Sequence, residues 1–230
     1  MDLTHDLLPS IPLFRSLDPT SLSRIVDVIR PVDLNAGEAL FRKGDDGREM
    51  YIIEEGTIKI VLPSVDGDEI ILTVLKETEF FGTMSMFDGK SRSADAVAVS
   101  ACRLMVLDRR DFIHILQEDE EALRTILCDL SSMVRKTDDL VEDLCFFPIE
   151  KRLARRLLSL CDEVACEGPI ELGLSFKQKE LAEMVGATRE SVNRKLRKFA
   201  DDGIIEMDKG RVTTVCRPEA LEAMCDNLDF

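Results

Sequence analysis

Apolar residues are spaced in three ways along the chain, and each spacing predicts a different kind of element. Near the start, Leu22, Ile25, Val26 and Ile29 recur at helical intervals behind Asp18-Pro19. A capping aspartate followed by proline at the first helical position predicts a short helix there. From residue 32 to 107 the apolar runs shorten, to 38–41, 50–53, 58–62, 70–75, 96–99 and 104–107. Gly37, Gly44, Gly47, Gly56, Gly67, Gly82 and Gly89 punctuate them. Closely spaced strands with glycine turns predict a β-barrel or sandwich. Asp66-Gly67, between the third and fourth runs, predicts a hairpin, because both residues tolerate positive φ.

From 120 to 147 the period changes again. Leu123, Leu127, Leu130, Val134, Thr137, Val141 and Leu144 are spaced 4, 3, 4, 3, 4, 3, an a/d seam sustained over three heptads. Such a seam wants a partner helix, so these seven residues are expected to form a homodimer interface; an ordinary core helix is the alternative. Ile126, Met133 and Leu140 lie beside the seam and are expected to pack on the β-domain. Pro148 ends the helix by biasing the residue before it away from helical geometry. The expected divisions are an effector domain at 1–117, a dimerisation helix at 118–147 and a third domain at 148–230.

Beyond Pro148, Leu153, Leu157 and Leu158 mark an amphipathic helix, followed by two more helices and a hairpin. Ala182, Gly186 and Val192 stand at offsets of 4 and 6. That spacing fits a helix-turn-helix: Ala182 lets the helices approach, Gly186 takes the turn, Thr188 caps the second helix, and Val192, Leu196 and Phe199 are its buried stripe. The other face then carries Arg189, Glu190, Asn193, Arg194 and Arg197. Arginine matches guanine O6 and N7, and glutamate accepts from cytosine N4, when a helix start points into the major groove. Lys195, Lys198, Lys177 and Arg211 are expected at flanking phosphates, setting affinity without reading sequence. The turn at 208–211 reads as the tip of a wing. A solvated charged helix in a bundle is the plainer alternative.

Composition sharpens this picture. The 230 residues are 45% hydrophobic and 33% charged, as in soluble globular proteins. Net charge is -15, which for the whole chain argues against nucleic-acid binding. From 148 onward, however, 14 lysines and arginines face 16 acids, against 16 and 29 before it, so the two halves are expected to have different partners. No run approaches a membrane span, and the start, Met1-Asp2-Leu3-Thr4, lacks a basic leader. A cytoplasmic protein without membrane association is expected. Seven cysteines without a C-x-x-C pair suit a reducing compartment.

Three stretches resemble the CRP/FNR family of bacterial transcription regulators, and together they span nearly the whole chain. Residues 37–45 with Met50-Tyr-Ile-Ile and Gly56 are similar to its β-roll glycine framework. Residues 81–94, Phe-Gly-Thr-Met-Ser-Met-Phe-Asp-Gly-Lys-Ser-Arg-Ser-Ala, are similar to its phosphate-binding cassette. Arg189-Glu-Ser-Val-Asn-Arg194 matches its cAMP receptor protein branch. The resemblance implies an α+β fold: an N-terminal double-stranded β-helix (β-roll or jelly roll), a long dimerisation helix and a C-terminal winged helix-turn-helix. It also implies a homodimer that binds double-stranded DNA at TGTGA-like palindromic half-sites, works with RNA polymerase and answers to a small-molecule effector.

In the cassette, Gly82, Arg92 and Ser93 match residues that hold a cyclic phosphate. The family's ribose-binding glutamate position holds Thr83. A neutral hydroxyl there forgoes a charge-assisted hydrogen bond worth about 1.5–3 kcal/mol, so cyclic AMP and a different effector both stay open. Met84 and Met86 are expected to thicken the pocket with adaptable apolar side chains, as core more than as ligand contacts, and Thr137 falls where the family reaches the adenine across the dimer. No cysteine precedes Cys102, against iron-sulfur ligation. Haem would need His5 or His114, of which His114 is expected to be packed, and Cys161 with Cys166 is a candidate redox pair. Two further readings are a cyclic-nucleotide module without DNA function and a metal-dependent β-barrel enzyme. The enzyme reading lacks the histidines for a metal site, and no catalytic residues or metal ligands are assigned.

Overall fold

The uninterrupted apolar runs 50–53 and 104–107 are explained by burial on both faces. Alternate residues serve two cores: Tyr51, Ile53, Leu104 and Val106 belong to one cluster, and Met50, Ile52, Met105 and Leu107 to another. The computed structural model describes residues 8–11, 14–15, 17–118, 120–161, 168–172 and 176–226, and the chain divides into units at 1–137 and 138–230.

In the first unit a short 3₁₀ turn, Leu8–Ser10, precedes α1 (Pro19–Val28), where Asp18 Oδ1 accepts from the amides of Thr20 (2.8 Å) and Ser21 (3.2 Å). These bonds satisfy donors that a helix start leaves open. Eight strands follow: β1 (Arg30–Leu34), β2 (Ala39–Phe41), β3 (Glu49–Glu55), β4 (Ile58–Pro63), β5 (Glu69–Leu75), β6 (Phe80–Phe81), β7 (Asp95–Ala98) and β8 (Cys102–Asp108). They form two antiparallel sheets, ordered β1-β8-β3-β6 and β2-β7-β4-β5. One cluster joins residues of both sheets, including Ile58, Phe81, Ala96 and Leu104, so this core lies between them. The second core joins the outer faces of β3 and β8 to helical residues Ile25, Met86, Phe112, Ala122 and Ile126.

The resemblance is borne out at the level of architecture, with local differences. β1 escapes the sequence pattern because it is an edge strand whose Arg30, Pro31 and Asp33 are exposed. The turn expected at Asp66-Gly67 is the longer loop 64–68, closed by the Ser64 amide on Asp68 O at 2.8 Å. Two helices in this unit had no counterpart in the periodicity: α2 (Thr83–Asp88) and α3 (Arg109–Glu118).

α4 (Glu120–Phe146) carries the heptad seam. Ala122 and Ile126 are buried in the second core with Leu130 packed against it. Leu123, Leu127, Val134, Val141 and Leu144 are exposed. Met133 was expected to pack beside Ile126 but is also exposed, because that core's last member on α4 is Leu130. At the end of α4, Arg155 Nη1 donates to Asp143 Oδ1 at 2.6 Å, and the Phe147 ring lies 4.2 Å from Lys151 Nζ.

The second unit continues with α5 (Ile149–Ser159), β9 (Ile170–Glu171), α6 (Gln178–Val185), α7 (Arg189–Asp201), β10 (Ile205–Asp208), β11 (Arg211–Val215) and α8 (Pro218–Asp226). Leu153, Leu157, Leu181, Val192, Leu196, Phe199, Val215 and Leu221 are buried, each contributing about 1.5–3 kcal/mol. No described helix is long and apolar enough to cross a membrane.

Candidate functional site

Two groups of residues carry chemistry, one in each unit. In the second, α6 ends at Gly186, whose φ of 58° is the left-handed conformation that glycine tolerates best. The turn is held from behind by Arg152, whose Nη1 donates to Val185 O at 2.6 Å and to Gly186 O at 3.4 Å. Thr188 then starts α7, its Oγ1 accepting from the Ser191 amide at 3.3 Å. With Val192, Leu196 and Phe199 fully buried, helical spacing turns Arg189, Glu190, Arg194 and Arg197 outward, and all four are exposed. No salt bridge joins these four to the described residues. Asn193 is half-buried, and its Oδ1 is buried without a hydrogen-bond partner.

The residues expected at phosphates fall into two places. Lys177 and Arg211 are neighbours through an antiparallel bridge beside the turn of the β10–β11 hairpin, where Arg211 pairs with Asp208. The tip of that hairpin, Lys209-Gly210, has φ of 47° and 78°, as a tight two-residue turn requires. Lys195 and Lys198 instead converge on Glu150, a residue that the sequence pattern did not single out: Lys195 Nζ donates to its Oε2, and Lys198 Nζ to its Oε1 at 3.1 Å. Those hydrogen bonds, Lys195 first, hold the Glu150 carboxyl below its usual range.

In the first unit the cassette residues gather around Arg92, which is 5% exposed. Its Nη1 donates to Gly82 O (3.0 Å) and Ser85 Oγ (2.9 Å), and its Nη2 to Glu49 O (2.9 Å). The guanidinium lies 4.3 Å from the Phe41 ring centroid and 5.5 Å from that of Tyr51, and Tyr51 stacks on Phe81 at 5.4 Å. Its Nε is buried and unpaired. Burial lowers the Arg92 pKa from its ordinary value, opposed by Tyr51 and Glu49. Gly47 makes the close approach possible: a Cβ there would stand 2.5 Å from Arg92 Nε and 2.6 Å from Ser85 Oγ.

Gly82 and the buried Thr83 sit with Arg92 in this group. Ser93 and Met84 are exposed and paired with each other, Ser93 Oγ to Met84 Sδ at 3.7 Å. Thr137 Oγ1 donates to Met133 O on its own helix at 2.9 Å, and no hydrogen bond joins it to the cassette. Ser85, Glu49, Phe41 and Tyr51 escaped the sequence reading because their roles depend on pairing between separated strands. The Ser85 hydroxyl, inside the cassette at 81–94, was the one available signal.

The other sensing routes find little here. His114, expected to be packed, is exposed. His5 and Cys166 lie outside the described residues. Cys161 is buried, its thiol on Leu157 O at 3.4 Å. Among the described residues no cluster of three or more histidines, cysteines or carboxylates is placed to hold a metal ion.

Comparison with known proteins finds a separate family match for each of the two groups. Residues 31–119 match the cyclic nucleotide-binding domain, and residues 151–224 the Crp-like helix-turn-helix domain. A CRP-like cAMP-activated global transcriptional regulator of Mycobacterium tuberculosis is 29% identical over 205 residues, 88% of this chain and 92% of that protein. The cyclic AMP receptor protein of Thermus thermophilus is 29% identical over 201 residues, 87% and 91% of the two chains. The solved structure of FixK2 from Bradyrhizobium japonicum superimposes with a TM-score of 0.76 at 19% identity, covering 87% of this chain and 98% of that one. At that identity the likeness shows the fold.

Proposed function

The chain belongs to the CRP/FNR family of transcription regulators, and from that membership we propose that it is a homodimeric, effector-responsive regulator reading TGTGA-like palindromic half-sites. The observation that carries this reading is the outward face of α7, where Arg189, Glu190 and Arg194 stand exposed at the start of a capped helix. Arginine and glutamate at the start of such a helix are suited to guanine and cytosine edges in a major groove. Lys177 and Arg211 would take flanking phosphates, and Asn193 and Arg197 lie on the same face.

The exposed α4 seam of Leu123, Leu127, Val134, Val141 and Leu144, with Leu130 and Thr137, supports pairing with a second copy. Two recognition helices related by that two-fold axis would meet half-sites about 34 Å apart. The Arg92 group fits an anionic effector, since a buried guanidinium N–H without a partner is the group an anion satisfies. A cyclic nucleotide such as cAMP, or another small anion, would bind there against Gly82, Thr83, Met84 and Ser93. Differential affinity for two arrangements of the protein would then shift DNA binding. RNA polymerase is the expected partner at promoters, and the cytoplasm the expected location.

The test is binding of the purified protein to a duplex with two TGTGA half-sites one helical turn apart and to a scrambled duplex, with and without cyclic AMP. Preference for the half-site duplex of at least a hundredfold, with cooperative loading of two chains, is the expected result. Equal affinity for both duplexes would overturn the base-reading role of α7.

A further inference from the structure

We propose that Glu150 is a built-in competitor for the DNA backbone, its carboxylate holding the two recognition-helix lysines, Lys195 and Lys198, that a phosphate would otherwise take. The inference rests on the DNA-binding reading and adds a control on affinity that does not depend on base sequence.

Lys195 and Lys198 are three residues apart on α7 and so share one side of the helix. Glu150 reaches them from the first turn of α5 and divides its oxygens between them, Oε2 to Lys195 and Oε1 to Lys198 at 3.1 Å. A carboxylate spanning two ammonium groups reproduces what the two non-bridging oxygens of a phosphodiester do. The cluster is accessible to such a phosphate: the three side chains retain 26%, 30% and 57% of their exposure, for Glu150, Lys195 and Lys198. Among the described residues, Arg189, Arg194 and Arg197 on the base-facing side have no salt bridge of this kind, which sets the Glu150 contact apart as one on the backbone flank.

The consequence follows from counterion release. Backbone affinity and its salt dependence both scale with the number of phosphates neutralised. With Glu150 in place, two lysines and one carboxylate present a net charge of one. An arriving phosphate must displace the carboxylate or share the ammonium groups while repelled by it. Glu150 therefore restrains binding to every sequence, which suits a protein that must leave non-cognate DNA.

Glu150→Gln keeps the shape and removes the charge. Dissociation constants for the half-site and scrambled duplexes are measured across a salt series, for the wild type, for Glu150→Gln and for Glu150→Ala. Both variants are expected to bind both duplexes about tenfold tighter at low salt, by similar factors on each. The slope of log affinity against log salt should steepen by about 0.9 for each additional phosphate held. Adding Lys195→Gln and Lys198→Gln to Glu150→Gln should abolish the gain. Weaker binding by Glu150→Gln would mean that the carboxylate positions the lysines for DNA, and would overturn the proposal, as would unchanged affinity and slope. Wild-type binding with no gain in the variants overturns this inference alone. Absence of DNA binding by all the proteins at every salt concentration overturns it together with the DNA-binding reading.

Discussion

A Cβ built on Gly186 would stand 2.5 Å from Cδ2 of Leu144. The turn of the helix-turn-helix thus presses on a residue that the heptad pattern assigns to the dimer seam. Leu144 is 37% exposed, so one side chain serves the turn on one flank and offers surface on the other. The methyl group can swing aside, but the backbone cannot relax: φ at Gly186 is 58°.

Gly186→Ala is therefore expected to cost about 1–2 kcal/mol from the left-handed backbone alone. Denaturant unfolding of Gly186→Ala and of Gly186→Ala/Leu144→Ala checks the origin of the loss. If the backbone is the cause, shortening Leu144 recovers little of it; full recovery would show that the side-chain contact dominates.

The two faces of α4 should answer differently to substitution. Ile126 is 1% exposed, and Ile126→Ala should lower stability by about 2–5 kcal/mol. Val134 is 60% exposed, and Val134→Glu should leave the fold intact while breaking the dimer, because charge at an a position opposes a partner helix. Sedimentation equilibrium and thermal melts read the two effects separately. A dimeric Val134→Glu protein would count against the seam.

Arg194→Ala is expected to lose about 1–3 kcal/mol on the half-site duplex and to relax the preference at one base pair. Lys177→Ala should weaken all duplexes alike and flatten the salt slope. Competition with single-base variants of the half-site separates them; an equal loss on every sequence for Arg194→Ala would move that arginine to the backbone.

Arg92→Gln should abolish binding of an anionic effector, read as loss of the calorimetric signal with cyclic AMP or of any DNA response to it. Since Arg92 bridges Gly82 O, Ser85 and Glu49 O, the same change should lower stability by about 1–3 kcal/mol. Retained effector binding would place the ligand elsewhere.

Tyr51 is the single tyrosine, and the chain has no tryptophan, so tyrosinate absorbance reports one group. Burial, then its hydrogen bond to Glu49, raises its pKa from 10.0 to about 12. In the folded state the phenol holds its proton more tightly than in the unfolded chain. Its contribution to stability is complete below pH 10.0 and is lost as pH rises towards about 12. An absorbance midpoint near 10 in the folded protein would contradict the buried setting, and Tyr51→Phe should remove this part of the alkaline decline.

Much of this molecule is written in local periodicity. The cap at Asp18, the glycine-punctuated strands, the 4-3 spacing from Leu123 to Leu144 and the Ala182–Gly186–Val192 spacing are short-range patterns, and each specifies its element because burial of one face imposes a fixed period. The base-facing arginines follow from the buried stripe of Val192, Leu196 and Phe199, since naming one face of a helix names the other. What the tertiary structure alone decided are meetings between distant segments: Arg92 with Glu49 and Gly82 inside a cage of Phe41 and Tyr51, Gly47 yielding space to that guanidinium, and Glu150 reaching across from α5 to Lys195 and Lys198. No spacing along the chain encodes these, because the partners are 10 to 51 residues apart and meet only when strands pair and helices pack. Periodicity determines which face an element buries; only packing determines which side chains then stand within hydrogen-bonding reach.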